Sequence, residues 1–233
     1  MASNGEKVKV FTFSISPFVN RVLIALEEMG VPYDSQEVDM NNKSPEFLEA
    51  NPVYKKVPAI VHKGKPLSES LVILEYIHDT WSSSPSAGTT LLPKDPYDKA
   101  IARFWADFVE KKFWKAGWRT TLTEGETQEE AKQEFIDSFL LLEEALRKTS
   151  GGKPFFGGDD FGYVDIALAP FIFLWPAVEI LGDFKIPFGR CPHLSAWSQL
   201  VSQRESVKKI LPSAEAALEY MAGVRKQALS TSN

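Results

Sequence analysis

Residues 82–90, SSSPSAGTT, separate two stretches of chain that cannot fold in the same way. A run so rich in serine, glycine and proline has no apolar face to bury, and it reads as a linker between domains. Before it, strand-like and helix-like text alternate. VKVFTF at 8–13 is β-branched and aromatic, which suits a first strand. Val22, Ala25, Leu26 and Met29 then recur at helical spacing until Gly30 stops them. Residues 33–38 form a weaker second strand, and Ser44-Pro45 opens a short helix as cap and first residue. PAIVH and KPLS flank Lys63-Gly64 as a hairpin. A last helix follows from Glu69, with Glu75, His78, Asp79 and Ser82 along its polar stripe. The order is β-α-β-α-β-β-α.

After the linker the text is helical throughout. A long helix runs from Pro96 toward Arg119, and a second carries Phe135, Phe139, Leu142 and Leu146 on one face. A buried apolar helix covers 166–181, and two or three shorter ones fill 193–226. The fold class is therefore α+β. A mixed domain over 1–83 leads through a linker at 84–94 into an all-helical domain over 95–233.

Several functions are disfavoured. The net charge of −5 lacks the basic stripe that a nucleic-acid partner requires. Cys191 is the single cysteine, so no internal disulfide can form, which fits a reducing compartment. The opening MASNGEKVKV has no apolar core of a signal peptide. IALAPFIFLWPAVEIL at 166–181 has 16 residues, two prolines and Glu179, short of a membrane span. A cytosolic protein with no membrane partner is expected. His62, His78 and His193 have no cysteine or carboxylate at ligand spacing, so no metal site is expected. GxxxxGK[ST], GxGxxG and GxSxG are all absent, which leaves no phosphate loop and no hydrolase elbow.

What remains is a set of anion-binding features in the first domain. Ser16 precedes Pro17 and a helix start, where unpaired N–H groups face a negative ligand. Glu69-Ser70 repeats that arrangement at another helix start, and Val57-Pro58 leads into a strand, where a cis bond would turn the Val57 backbone outward. Each feature alone reads first as an ordinary cap or turn. Together they describe two helix N-termini and a strand edge suited to one small, acidic, peptide-like ligand.

SPFVNRVLIALEEMGVPY, NKSPEFLEANPVYKKVPAIVHKGKPLSESLVILEYI and FGYVDIALAPF resemble the tau class of plant glutathione S-transferases, and the likeness extends through the linker and ARFWADFVEKK. The resemblance implies a thioredoxin-like domain followed by an all-helical one, in a homodimer. It also implies glutathione as co-substrate, with no further cofactor. Ser16 matches the serine that hydrogen-bonds the glutathione sulfur, and Phe18 the aromatic beside it. Lys43 and Lys56 match lysines facing the glycyl carboxylate. Val57 matches the backbone that pairs with the cysteinyl unit, and Pro58 the cis-proline. Glu69 and Ser70 match the pair holding the γ-glutamyl end. Asp165 matches the acidic residue of a structural capping motif, outside the site.

A serine hydroxyl is too weak a base to hold a thiol proton, so the role implied for Ser16 is that of a donor to the thiolate. A thiol of pKa about 8.5 is only about 3% ionised at pH 7, so full ionisation adds at most roughly thirtyfold. The rest must come from holding the electrophile beside the sulfur. The resemblance places that pocket between the domains. Trp114 and Trp118, at i and i+4, could form a flat wall there or could pack into the core or a subunit contact. Phe13 and Met40 match positions bordering it, while Trp118 stands where relatives often carry a basic residue. Conjugation of glutathione to hydrophobic electrophiles is the activity implied, with peroxidase activity toward organic hydroperoxides beside it. The alternative is a carrier of apolar small molecules with little turnover. A thiol-exchange enzyme would need a cysteine where Ser16 stands.

Overall fold

The computed structural model describes residues 7–84, 87 and 89–231. Three positions of the expected linker, 85, 86 and 88, lie outside the described residues. The first half contains strands β1 (Val8–Thr12), β2 (Tyr33–Glu37), β3 (Ala59–His62) and β4 (Lys65–Ser68), with helices α1 (Pro17–Glu28), α2 (Pro45–Ala50) and α3 (Ser70–Trp81) between and after them. The sheet order is β2-β1-β3-β4. β1 and β2 are parallel, with Val8 opposite Tyr33, and the other two pairings are antiparallel.

Alternation along β1 explains why this sheet carries helices on both faces. Val8 and Val10 point into the large core shared with α1 and α3, and Phe11 points the other way, onto Phe47 of α2. The Phe11 and Phe47 rings lie 5.5 Å apart. β2 is a polar edge, which is why its hydrophobic alternation is weak in the sequence.

The second half consists of α4 (Pro96–Phe108), α5 (Lys115–Leu122), α6 (Gly125–Thr149), α7 (Tyr163–Leu168), α8 (Trp175–Gly182), α9 (Pro192–Ser202), α10 (Glu205–Ile210) and α11 (Ala214–Thr231). Asp95 caps α4 by accepting from the N–H groups of Tyr97 and Asp98. Gly117 permits the close crossing of α5 and α6, because a Cβ there would sit 2.8 Å from the Phe135 ring.

Three expectations are corrected. The long helix expected from Pro96 is not uniform, since a π-helical turn, Val109–Trp114, joins α4 to α5. Its wider turn lets two consecutive residues, Phe113 and Trp114, both reach Phe171, at 6.2 and 4.9 Å between ring centroids. The apolar helix is longer than its sequence suggested. With a 3₁₀ stretch, Ala169–Leu174, between α7 and α8, it runs over Tyr163–Gly182, 20 residues, long and apolar enough to cross a membrane. Burial decides its role: most of it, 72% of its most apolar window, is inside the protein, so it is a core helix. Finally, His78 does not belong to an exposed stripe. It is buried, and its Nδ1 has no hydrogen-bond partner among the described residues.

Candidate functional site

The segment between β1 and α1 sets the site. Ser16 N–H donates to the Phe13 carbonyl at 2.8 Å, closing a turn, and Ser14 N–H donates to the Glu37 carboxylate at 3.0 Å. The second oxygen of Glu37 accepts from the Thr12 hydroxyl at 2.9 Å, so β2 holds this turn from the side. Ser16 is the N-cap of α1, with Pro17 after it and extended backbone, φ −80° and ψ 116°. Its Oγ accepts from Val19 N–H at 3.4 Å and donates to no acceptor among the described residues, so the hydroxyl hydrogen can turn to a ligand.

Ser16 lies on a cleft of about 1110 Å³ between the two halves of the molecule. The first half contributes Phe13, Ile15, Pro17 and Phe18 around Ser16, then Glu37 to Asn41, and Lys56 and Val57. The helical half contributes Trp114, Trp118 and Leu174, with Tyr220, Val224 and Gln227 from α11. Trp114 is nine-tenths buried and Trp118 half-buried, with their rings 5.6 Å apart. Phe13 meets Tyr220 edge to face at 5.7 Å, so a first-half residue and α11 touch across the cleft. The Tyr220 hydroxyl is pushed above its ordinary pKa by burial, which keeps it neutral.

The sequence-predicted residues divide into two groups. Phe13, Ser16, Phe18, Met40, Lys56, Val57, Trp114 and Trp118 line one cleft. Lys43, Pro58, Glu69 and Ser70 are not on its lining. The Val57–Pro58 bond is cis. Glu69, with φ 74°, precedes α3 in the left-handed region and makes no side-chain cap. Ser70 is buried, and its Oγ accepts from Arg21 Nη1 at 3.1 Å.

Arg21 was not legible as a site-supporting residue. Its fully buried guanidinium also donates to the Ala167 carbonyl at 2.9 Å and to the Glu110 carboxylate at 3.0 Å, joining α1, α3, the π turn and α7. Phe18 and Phe171 lie at 5.1 and 5.2 Å from its carbon, while Nη2 has no hydrogen-bond partner among the described residues. Burial holds its pKa below the usual arginine value, and Glu110 opposes that shift. The α11 face was missed too. Tyr220, Val224 and Gln227 stand at i, i+4 and i+7, a spacing that signals one helix face without revealing what it faces.

Asp165 sits apart, fully buried at the start of α7. It accepts from Phe156 N–H at 3.1 Å, Gly162 N–H at 3.0 Å and Trp197 Nε1 at 2.7 Å. Burial pushes its carboxyl up to about 6, against the pull of those three donors.

A thioredoxin-like sheet domain followed by an all-helical domain, with a capped helix start opening on the cleft between them, defines the glutathione transferase class of fold. Residues 6–79 match the family profile "Glutathione S-transferase, N-terminal domain", and residues 125–200 match "Glutathione S-transferase, C-terminal domain". The chain is 44% identical to glutathione S-transferase U19 of Arabidopsis thaliana and 42% identical to the probable glutathione S-transferase parC of Nicotiana tabacum. Each match covers 95% of this chain and 97% of the relative. Among solved structures it is similar to a tau class glutathione S-transferase from mango, with 36% identity, TM-score 0.87 and coverage of 95% and 99% of the two chains. A rice enzyme of the U series, crystallised in complex with glutathione, gives 35% identity, TM-score 0.87 and coverage of 97% and 99%. The chain belongs to the tau class of the glutathione S-transferase family.

Proposed function

We propose that the protein joins the thiolate of glutathione to hydrophobic electrophiles, with Ser16 as the donor to sulfur. One observation carries this reading: the free hydroxyl hydrogen of Ser16, at the N-terminus of α1, opens on the same cleft as Trp114 and Trp118. The helix end and the hydroxyl favour the anion over the thiol. The sulfur lone pair forms the new bond to carbon, and the leaving group departs with its electron pair. The thiol proton goes to solvent. The aromatic wall holds the acceptor beside the sulfur, which is where acceleration beyond ionisation arises.

Lys56 and Val57 line the same cleft and suit the glycyl carboxylate and cysteinyl backbone. Lys43, Pro58, Glu69 and Ser70 are assigned to the same tripeptide site by family likeness, Pro58 following Val57 directly in the chain. A homodimer is the assembly proposed, supported by the exposed apolar side chains Val53, Tyr54, Val72, Tyr97, Phe104 and Leu141. The cytosol is the compartment proposed, supported by a single buried cysteine and a core with no disulfide to form.

The test is conjugation of glutathione to a neutral aryl halide, with the thioether product identified by mass spectrometry. Turnover well above the uncatalysed rate is the expected result. An apolar ligand that binds and is released unchanged, with no thioether formed from any of a panel of electrophiles, would leave the carrier reading in its place.

A further inference from the structure

We propose that the electrophile half of this cleft selects neutral and cationic acceptors and discriminates against those bearing a carboxylate. The proposal rests on the transferase reading above and names the substrate class of that site. The lining has four charged side chains, Glu37, Asp39, Lys56 and Glu219, while the Tyr220 hydroxyl on it stays neutral. Glu37 is occupied by Thr12 and Ser14, and Asp39 accepts from Asn41 N–H at 2.8 Å. Lys56 is the one cation on the lining among the described residues, and it stands beside Val57 on the side given to glutathione. Glu219, on α11, is exposed on the helical side and pairs with no cation among the described residues.

The cations of the helical wall are directed elsewhere. Lys111 pairs with Asp107 at 2.7 Å and Arg119 with Glu134 at 2.8 Å. Arg225 of α11 donates to the carbonyls of Thr121 and Thr123 at the end of α5. Lys112, Lys115 and Lys226 are exposed and lie off the lining. The remaining surface facing the acceptor is uncharged: the aromatic and aliphatic side chains Phe13, Trp114, Trp118, Leu174, Tyr220 and Val224, with the neutral Gln227 amide beside them. A carboxylate placed there would lose hydration against apolar rings with no donor cation, near Glu219 and beside the thiolate. A neutral ring has neither cost. A cationic substituent gains from Glu219 and from the faces of the tryptophans.

Three acceptors with one reacting group test this: a chloronitrobenzamide, the matching chloronitrobenzoate and a chloronitrobenzene carrying a quaternary ammonium group. Each kcat/KM is divided by the uncatalysed rate of the same acceptor with glutathione, which removes its intrinsic reactivity. The wild type should favour the amide over the carboxylate by about tenfold or more, and the cation should at least equal the amide. Glu219→Lys should raise the carboxylate-to-amide ratio by about fivefold or more and lower the cation-to-amide ratio. High salt should narrow both ratios. Equal normalised rates for amide and carboxylate would overturn the proposal, as would a Glu219→Lys variant that changes all three acceptors by one factor. Absence of turnover on the amide itself would instead count against the transferase reading.

Discussion

Arg21 Nη1 donates to Ser70 Oγ at 3.1 Å, so a buried cation on α1 holds the first residue of α3. The same guanidinium reaches the Ala167 carbonyl and the Glu110 carboxylate, so a single side chain ties the two halves of the molecule together. Arg21→Leu should destabilise the protein by about 3–5 kcal/mol, because Glu110 and the buried acceptors lose their donor. Arg21→Lys should recover only part, since an ammonium cannot match the planar fork. Urea denaturation of the three proteins checks both statements. A stability unchanged in Arg21→Leu would contradict them. Because Ser70 loses its anchor, the KM for glutathione should rise in the same variants, with a smaller change in kcat.

Asp165→Ala removes the acceptor of three donors, Phe156 N–H, Gly162 N–H and Trp197 Nε1, all from a fully buried position. Each donor left unpaired costs about 1–3 kcal/mol, so a loss of about 3 kcal/mol or more is expected by thermal or chemical denaturation. Asp165 is far in role from the cleft chemistry. The protein that remains folded at low temperature should keep its KM for glutathione, and a selective rise in KM at full stability would contradict this placement.

The buried histidines give the fold a defined pH response. Burial holds the pKa of His62 and His78 below the ordinary value, so both stay neutral in the folded state where the unfolded chain takes up protons. Below about pH 6.5 the unfolded state binds more protons, and stability falls as pH falls. Asp165 acts in the opposite direction, since its raised pKa lets the folded state take up a proton first as pH drops below about 6. His78→Met removes one histidine contribution and leaves Asp165 in place. Its stability should therefore decline less than that of the wild type between about pH 7.5 and 5.5. Parallel curves from denaturant titrations at several pH values would show that His78 does not contribute.

Trp114 and Trp118 should behave differently despite sharing one wall. Trp114 is nine-tenths buried against Phe171, so Trp114→Ala should cost about 3–5 kcal/mol of stability. Trp118 is half-buried, and its removal should act on acceptor preference. Bulky apolar electrophiles should lose about tenfold in kcat/KM in Trp118→Ala, in line with roughly 1.5–3 kcal/mol for a buried large apolar side chain. Small aryl halides should lose less. Equal losses on all electrophiles, together with a lowered melting temperature, would move Trp118 from the cleft wall to the core.

Much of the fold was legible because local patterns carry it. β1 alternates, α1 has its cap and its glycine stop, and the hairpin turns at Lys63-Gly64, where both residues have positive φ. Ser16 and the two tryptophans are marked locally, by a cap before proline and by an i, i+4 spacing, whereas Lys56 and Val57 are singled out by the family resemblance. What escaped depends on contacts distant in sequence. Arg21 looks like any helix-surface cation until Glu110, 89 residues away, closes on it. His78 reads as solvent-facing because its neighbours Glu75 and Asp79 are polar, whereas in the folded protein it is buried and desolvated. The π turn has no composition signal. It follows from two adjacent aromatic residues that both seek Phe171.

The central claim is that Ser16 holds the sulfur of glutathione as a thiolate, and the pKa of that thiol in the complex tests it most directly. Ultraviolet thiolate absorbance of glutathione bound to the wild type and to Ser16→Ala, titrated across pH, gives both values. In the wild type the thiol should ionise well below its free value of about 8.5. In Ser16→Ala it should return toward that value, with turnover at neutral pH lowered by up to roughly thirtyfold and glutathione affinity changed much less. A thiol pKa that is the same in both proteins would contradict the account and reduce Ser16 to the cap of α1.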